Sequence, residues 1–504
     1  MLIFFTIFAV DRHIKIVSQR ITDDTMTNKT PSLAASLSPL IVLTILLYLV
    51  IISFGADSMS GGSQIALLTA TGVCAMVSIF LCKGSWERLE EAITDNIRAS
   101  GTAIVILLLI GAISGSWMLS GVVPTMIYYG LEMLHPKVFL VATCIICALV
   151  SLLTGSSWTT VATIGVAFMG IGSALGFQEG WIAGAIISGA YFGDKISVLS
   201  DTTVLASSTV GVPIFKHIQY MLYTSLPAFI IALIVFAIAG FWGIQGADTD
   251  VSLYTQTILS RFNISPWLLL VPLFTGILIA MRLPAIITLF ISTFMASMVM
   301  LIAQPEVMSE VVGVAQLDGI SRFKAIFMGC YGPTSLQTPV EAVTELVSTR
   351  GMSGMLSTIW LIICAMCFGG AMAGSGMLET ITRFFLRIVR GTASTVASTL
   401  SSGIFFNLCT GDQYISIILT GRLFKRLYEE QGLEERLLSR SVEDSATVTS
   451  VLIPWNTCGM TQSTVLGVAT FTYLPYCIFN IASPMISLLI AILGIGIKRR
   501  FSKS

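Results

Sequence analysis

The run Gly189-Ala-Tyr-Phe-Gly-Asp-Lys-Ile-Ser-Val-Leu-Ser-Asp-Thr-Thr203 sets two carboxylates (Asp194, Asp201), an ammonium (Lys195) and four hydroxyls (Ser197, Ser200, Thr202, Thr203) close together. Apolar segments long enough to cross a bilayer lie on either side. Charge at membrane depth is expensive and persists mainly where it lines a cavity and binds something. Carboxylate and hydroxyl oxygens, with the backbone carbonyls that a broken helix frees, are the ligands a small hard cation such as Na⁺ takes. A carboxylate drawn into a low-dielectric site also favours its protonated form, and a bound Na⁺ expels that proton. One acidic group that holds either ion, exposed alternately to each side, gives obligatory exchange.

Four further stretches carry the same residue types. Thr154-Gly-Ser-Ser157 precedes the first run, and Ser156 and Ser157 join Thr154 as hydroxyl candidates. The second half offers Asn407-Leu-Cys-Thr-Gly-Asp-Gln413, then Ser439-Arg-Ser-Val-Glu-Asp-Ser-Ala-Thr-Val-Thr-Ser450, then Pro454-Trp-Asn-Thr-Cys-Gly459. The ion-binding and proton-coupling candidates are therefore Asp194, Asp201, Asp412 and Asp444, with Glu443 behind them. Thr154, Ser156, Ser157, Ser200, Thr202, Thr203, Asn407, Asn456 and Thr457 are their neutral oxygen partners, and Na⁺ is expected at Asp201, Asp412 and neighbouring hydroxyls. Blander readings stand beside these. Asp194 and Lys195 could form a structural ion pair bridging a helix break, with Lys195 a charge partner only. Ser200-Asp201-Thr202-Thr203 could be a cap opening the next helix. Glu443 could sit on a solvated face after Arg436 and Arg440, and Asn456-Thr457 could be a pure hinge.

These residues need elements to hold them, and composition says which kind. Of 504 residues, 55% are hydrophobic and only 11% charged, with a mean hydropathy of +0.89. Soluble domains carry roughly 25% charged residues, so the fold class is an all-α polytopic membrane protein. Net charge is zero, which argues against a nucleic-acid partner. The spacing of Cys144/Cys147 and Cys364/Cys367 lies in apolar helices without His or acidic neighbours, so these are packing residues. Spans are expected at Leu33–Phe54, Gln64–Cys82, Thr102–Leu119, Lys137–Leu153, Leu226–Phe241, Trp267–Ile279, Ala285–Ile302, Ser357–Ala373 and Ser483–Ile497. The Gly/Ser/Thr-rich stretches Thr154–Gly176, Trp181–Thr203, Ser394–Gly421 and Ser441–Val468 suit broken or re-entrant helices buried in protein. Basic residues at the start, in an Arg422–Arg440 loop and at the end place all three in the cytoplasm by the positive-inside rule, with ten to twelve crossings. The segment before Met26 suits neither a span nor a signal peptide, so the working start is expected near Met26.

The chain also repeats itself. Gly115, Ser120-Gly121 and Thr154-Gly155 match Gly370, Ser375-Gly376 and Thr410-Gly411 at offsets of 255, 255 and 256. In both copies a span ends at Ser-Gly, an amphipathic stretch follows (Val122–Leu134; Met377–Val389), and another span leads to the Thr-Gly tip. The expected domains are a tail over 1–32, a first transmembrane repeat over 33–250 and a second over 251–504. Substrate sites of such transporters lie at broken helices on the repeat interface.

Gly189–Thr203, Lys216-His-Ile-Gln-Tyr220, Asn407–Tyr414, Leu438–Thr449 and Ile453-Pro-Trp-Asn-Thr-Cys-Gly459 together resemble the NhaC family of Na⁺/H⁺ antiporters, within the ion transporter superfamily. The resemblance runs from about Leu33 onward. It implies two inverted repeats, each with a re-entrant hairpin and a broken helix, often a homodimer, and elevator-type movement in the cytoplasmic membrane. It also implies that the Thr154–Ser157 and Thr410–Gln413 tips hold the ion, facing Ser200–Thr203 and Asn456-Thr457. No cofactor is implied beyond transported Na⁺ and H⁺. The chain departs from the family at Val198, where a Pro is usual, and at Val204, where an Asn is usual. Losing the Pro removes a fixed helix break, which Gly193 and the hydroxyls are expected to preserve. Losing the Asn removes an oxygen ligand.

The rival function is a relative that exchanges small carboxylates, malate against lactate, coupled to Na⁺ and H⁺. An organic anion wants a fixed cation, and Lys195 is the obvious one. An enzyme is disfavoured. Tyr191-Phe-Gly before Asp194 and Cys409-Thr-Gly before Asp412 do not make the Gly-x-Gly-Asp of intramembrane aspartyl proteases, and neither His-Glu-x-x-His nor Gly-x-Ser-x-Gly occurs.

Overall fold

A computed structural model describes residues 31–54, 61–242, 251–281, 283–387 and 389–497. The start near Met26, His13 and the basic residues at both ends lie outside the described residues. Among the described residues eight helices are long and apolar enough to cross a membrane, and ten if two sharply bent pairs each count as one span. That is the lower end of the expected range. Leu33–Phe54 has the expected bounds, while Ile214–Phe241 runs a further three turns ahead of the expected Leu226 start. The expected Trp267–Ile279 and Ser483–Ile497 spans are parts of the bent pairs, kinked by 90° and 56°. Ser157–Ala174 also qualifies by length and hydropathy, and 78% of its apolar window is buried inside the protein. A helix so placed has little surface left for lipid.

The Arg422–Arg440 segment is not a loop. The helix Gln413–Glu430 runs through its first part and Glu435–Val442 through its last. The basic residues alternate with buried apolar ones (Phe424, Tyr428, Leu437, Leu438), an amphipathic helical pattern that charge counting alone misreads.

The repeated succession of elements is present in the described residues. Gly101–Leu119, Val122–Met133 and Pro136–Thr154 are answered by Leu356–Gly374, Met377–Arg387 and Thr392–Thr410. The correspondence extends beyond the three matches seen in the sequence. At an offset of 256, Ser200 and Asn456 are both N-caps, opening Asp201–Val210 and Thr457–Leu466.

Close backbone packing positions the first polar run. Gly189 and Gly193, one helical turn apart, lay Glu179–Lys195 directly on Pro136–Thr154. A Cβ on either would lie 2.1 Å from a carbonyl oxygen, that of Cys144 or Ala148 respectively, so only Gly fits. Ser151 Oγ reinforces the contact by donating to the Ala190 carbonyl at 2.6 Å. The chain therefore presents Asp194 at the level where Pro136–Thr154 ends in its tip. Gly193 serves this packing and does not make the helix break. The break at residues 196–200 is held instead by Ser197, whose Oγ donates to the Leu152 carbonyl at 2.8 Å, and by the Ser200 cap. The Pro that Val198 replaces is not needed for it.

Candidate functional site

The two tips share one scaffold of a left-handed Gly and matching hydroxyls. Each ends a helix at a Gly in the left-handed region, Gly155 at φ 65° and Gly411 at φ 66°. Thr154 Oγ1 accepts from the Ser156 amide at 3.2 Å, as Thr410 Oγ1 accepts from the Asp412 amide at 3.3 Å. A hydroxyl one turn on then returns to the cap carbonyl: Thr160 to Ser156 at 3.0 Å and Ser416 to Asp412 at 2.7 Å. Each Gly abuts the opposing break. A Cβ on Gly155 would meet the Leu199 backbone at 2.6 Å, and one on Gly411 the Trp455 carbonyl at 3.3 Å.

The chemistry differs between the tips. At the first, Ser157 donates to Asp194 Oδ2 from both its amide (3.1 Å) and its hydroxyl (2.7 Å). Asp194 is 6% exposed, and its other oxygen, Oδ1, is buried without a donor. A buried carboxylate oxygen left unpaired is costly unless a cation or a proton completes it. At the second tip the carboxylate belongs to the tip itself. Asp412 caps the helix Gln413–Glu430, its Oδ1 accepting from the amides of Tyr414 (2.8 Å) and Ile415 (3.1 Å). Its Oδ2 accepts from the Thr457 hydroxyl at 3.3 Å, and the Thr457 amide donates to the Gly411 carbonyl at 2.8 Å.

Asn407 and Asn456 brace this second tip. Asn407 Nδ2 donates to the Ala446 carbonyl at 2.7 Å, and Asn456 Nδ2 reaches the Asn407 carbonyl at 3.3 Å. Thr202 pairs with Ser200 at 2.9 Å, and Thr203 Oγ1 donates to the Lys195 carbonyl at 3.1 Å. Asp201 is exposed at the first turn of its helix. Among the described residues no three His, Cys, Asp or Glu side chains converge on one point. Each carboxylate therefore works with hydroxyls and carbonyls, a donor set for an alkali cation and not for a transition metal.

Asp444 stands apart from the tips. It is fully buried in an ion pair with Lys195, and it also accepts from Thr224 at 3.0 Å and Ser483 at 2.9 Å. Arg440 lies 3.7 Å from its second oxygen. Lys195 thus pairs across 249 residues with Asp444, and neighbouring Asp194 turns to the first tip.

Tyr414 is a site residue that the sequence reading missed. Its hydroxyl donates to Asp201 Oδ2 at 2.7 Å while its amide donates to Asp412 Oδ1, so one residue joins the two acids. Its sequence context, an aromatic in the first turn after a cap, gives no warning of that reach. Tyr414→Phe should leave folding intact and raise the apparent KM for Na⁺ about tenfold or more, since a hydrogen bond to a charged group contributes roughly 1.5 kcal/mol or more. An unchanged KM in a cation titration would show that the hydroxyl positions nothing.

The Na⁺/H⁺ antiporter family model matches residues 1–197 and 189–495. The chain is 35% identical over 439 residues to the Na⁺/H⁺ antiporter NhaC of Alkalihalophilus pseudofirmus, covering 87% of this chain and 92% of that protein. The chain belongs to the NhaC family of Na⁺/H⁺ antiporters. A second NhaC antiporter, from Bacillus subtilis, is 35% identical over 80% of this chain and 87% of its own length. The malate-2H⁺/Na⁺-lactate antiporter of Bacillus subtilis is 36% identical over 82% and 85%. Membership makes this NhaC-family chain a multi-pass membrane transporter.

Proposed function

We propose that this chain is a secondary antiporter that exchanges Na⁺ for H⁺ across the cytoplasmic membrane, with both termini in the cytoplasm. The observation that carries the reading is the unpaired, buried Oδ1 of Asp194 beside the Ser157 tip. The second tip carries its own carboxylate, Asp412, which Tyr414 ties to Asp201. Na⁺ would take a carboxylate oxygen of Asp194, Asp412 or Asp201 with the hydroxyls and tip carbonyls beside it, and a proton would take the same carboxylate in its absence. The likeness of the two tips supports two repeats, over 33–250 and 251–504, in inverted orientation and moving between the membrane faces. A homodimer and the absence of any cofactor belong to the same proposal.

Lys195 bears on the alternative of carboxylate exchange. The cation that an organic anion would need is buried and committed to Asp444 and Ser483. Exchange of malate against lactate would have to break that pair. In proteoliposomes with an acid interior, NaCl alone should collapse the pH gradient reported by acridine orange. A collapse that requires malate or lactate would reject Na⁺/H⁺ exchange and favour the carboxylate exchanger.

A further inference from the structure

Glu443 is used by none of the steps above. It is fully buried, and neither carboxylate oxygen has a hydrogen-bond partner. It opens a π-helical turn, Glu443–Thr447, a distortion common at functional sites because it frees backbone groups and redirects side chains. Thr447, one turn on, also has a buried hydroxyl without a partner. The Thr447 hydroxyl and the Lys195 ammonium are near enough to act on this carboxylate without a formed hydrogen bond, and a buried carboxylate so sparsely paired needs a proton or a neighbouring cation to stabilise it.

The charges around it keep the ionised form within reach. Lys195 faces the turn from the helix Glu179–Lys195, and Arg440 from Glu435–Val442. His217 and Thr224 face it from Ile214–Phe241, Ser483 from Ile478–Leu493, and Asn407 from Thr392–Thr410. Asp194 precedes Lys195, and Asp201 turns away to Tyr414. Lys195, Arg440 and Asp444 together hold one excess positive charge while Glu443 is neutral, which the Asp194 carboxylate beside Lys195 partly offsets and which ionisation of Glu443 would cancel. Both states are therefore tolerated, as a group that loads and unloads a proton requires. Arg440 and Arg436 both stack on the Tyr220 ring, each 4.7 Å from its centre. Arg436, Lys216, Gln219 and Glu434 line a surface groove on that side.

We propose that Glu443 is a proton-binding site of the carrier separate from the carboxylates at the two tips, loaded and unloaded in each transport cycle. The proposal deepens the antiport reading and rests on it: the proton leaves the Glu443 carboxyl as hydronium and returns when the carboxylate is reprotonated. Its test uses the full chain in proteoliposomes, with Glu443→Gln compared with wild type. Na⁺ binding should stay within about twofold, while protons moved per Na⁺ fall by one. The infrared band of a protonated carboxyl, titrating with pH in wild type, should disappear from the variant. An unchanged proton-to-Na⁺ ratio together with an unchanged infrared titration would overturn the proposal. If Glu443→Gln does not fold, Glu443→Asp decides the matter, since a shorter carboxyl must keep the ratio and move the band. Wild type lacking Na⁺-driven proton movement would defeat the antiport reading, and the infrared titration would still show whether Glu443 takes up a proton.

Discussion

Asp412→Asn abolishes Na⁺-driven proton release at millimolar Na⁺ while the protein still folds and inserts. The substitution separates the two jobs that this side chain does. As an N-cap it accepts from Tyr414 and Ile415, and an Asn oxygen caps a helix about as well as an Asp oxygen. As the proposed cation ligand it would supply a full negative charge in a site 7% exposed. A unit charge about 4 Å from a cation is worth roughly 4 kcal/mol near a protein surface, which is about a thousandfold in affinity. Asp201→Asn should also stop exchange, because it removes the carboxylate that the Tyr414 hydroxyl ties to the second tip. Glu132→Gln, at an exposed position away from both tips, should match wild type. The measurement is ²²Na⁺ uptake against an outward proton gradient. Wild-type uptake by the Asp412→Asn protein would remove the tips from the mechanism.

The tips could be read because their signal is local. A Thr-Gly pair ending an apolar span, twice at nearly one offset, is enough to mark two left-handed helix ends. Asp194 and Lys195 could not be resolved in the same way. Adjacent residues on a helix point about 100° apart, so they seldom face one another. The sequence leaves a local ion pair open, and the fold sends Asp194 to Ser157 and Lys195 to Asp444. Tyr414 escaped for a related reason, since its bond to Asp201 spans 213 residues and breaks the repeat: the matching position in the first tip is Trp158. Charge misled at Arg440 and Glu443. Both look like members of a solvated basic-acidic face, and both are fully buried, because the two cations and two acids of that cluster can neutralise one another inside the protein. The family-unusual Val198 and Val204 are both exposed, and the break between them and Lys195 stands on serine hydroxyls.

Asp444→Asn should destabilise the protein much more than Lys195→Met, although each removes one member of the same pair. Deleting Asp444's charge strips both Lys195 and Arg440 of their counter-charge, and each is fully buried. Removing one partner of a buried pair costs about 3–5 kcal/mol, because the charge left behind cannot return to water. Lys195→Met leaves Asp444 facing Arg440 and still accepting from Thr224 and Ser483, so its charge stays compensated and a methionine fills most of the lysine's volume. Thermal unfolding in detergent should therefore show a fall of several degrees for Asp444→Asn and a clearly smaller one for Lys195→Met. Combining the two should recover part of the loss, since the second change removes one of the two charges the first had stranded. Equal losses for the two single variants, or no recovery in the double, would mean that the pair does not hold these elements together. The same proteins separate stability from transport: if Lys195→Met folds well yet exchanges no Na⁺, the pair's role lies in moving the two halves and not in joining them.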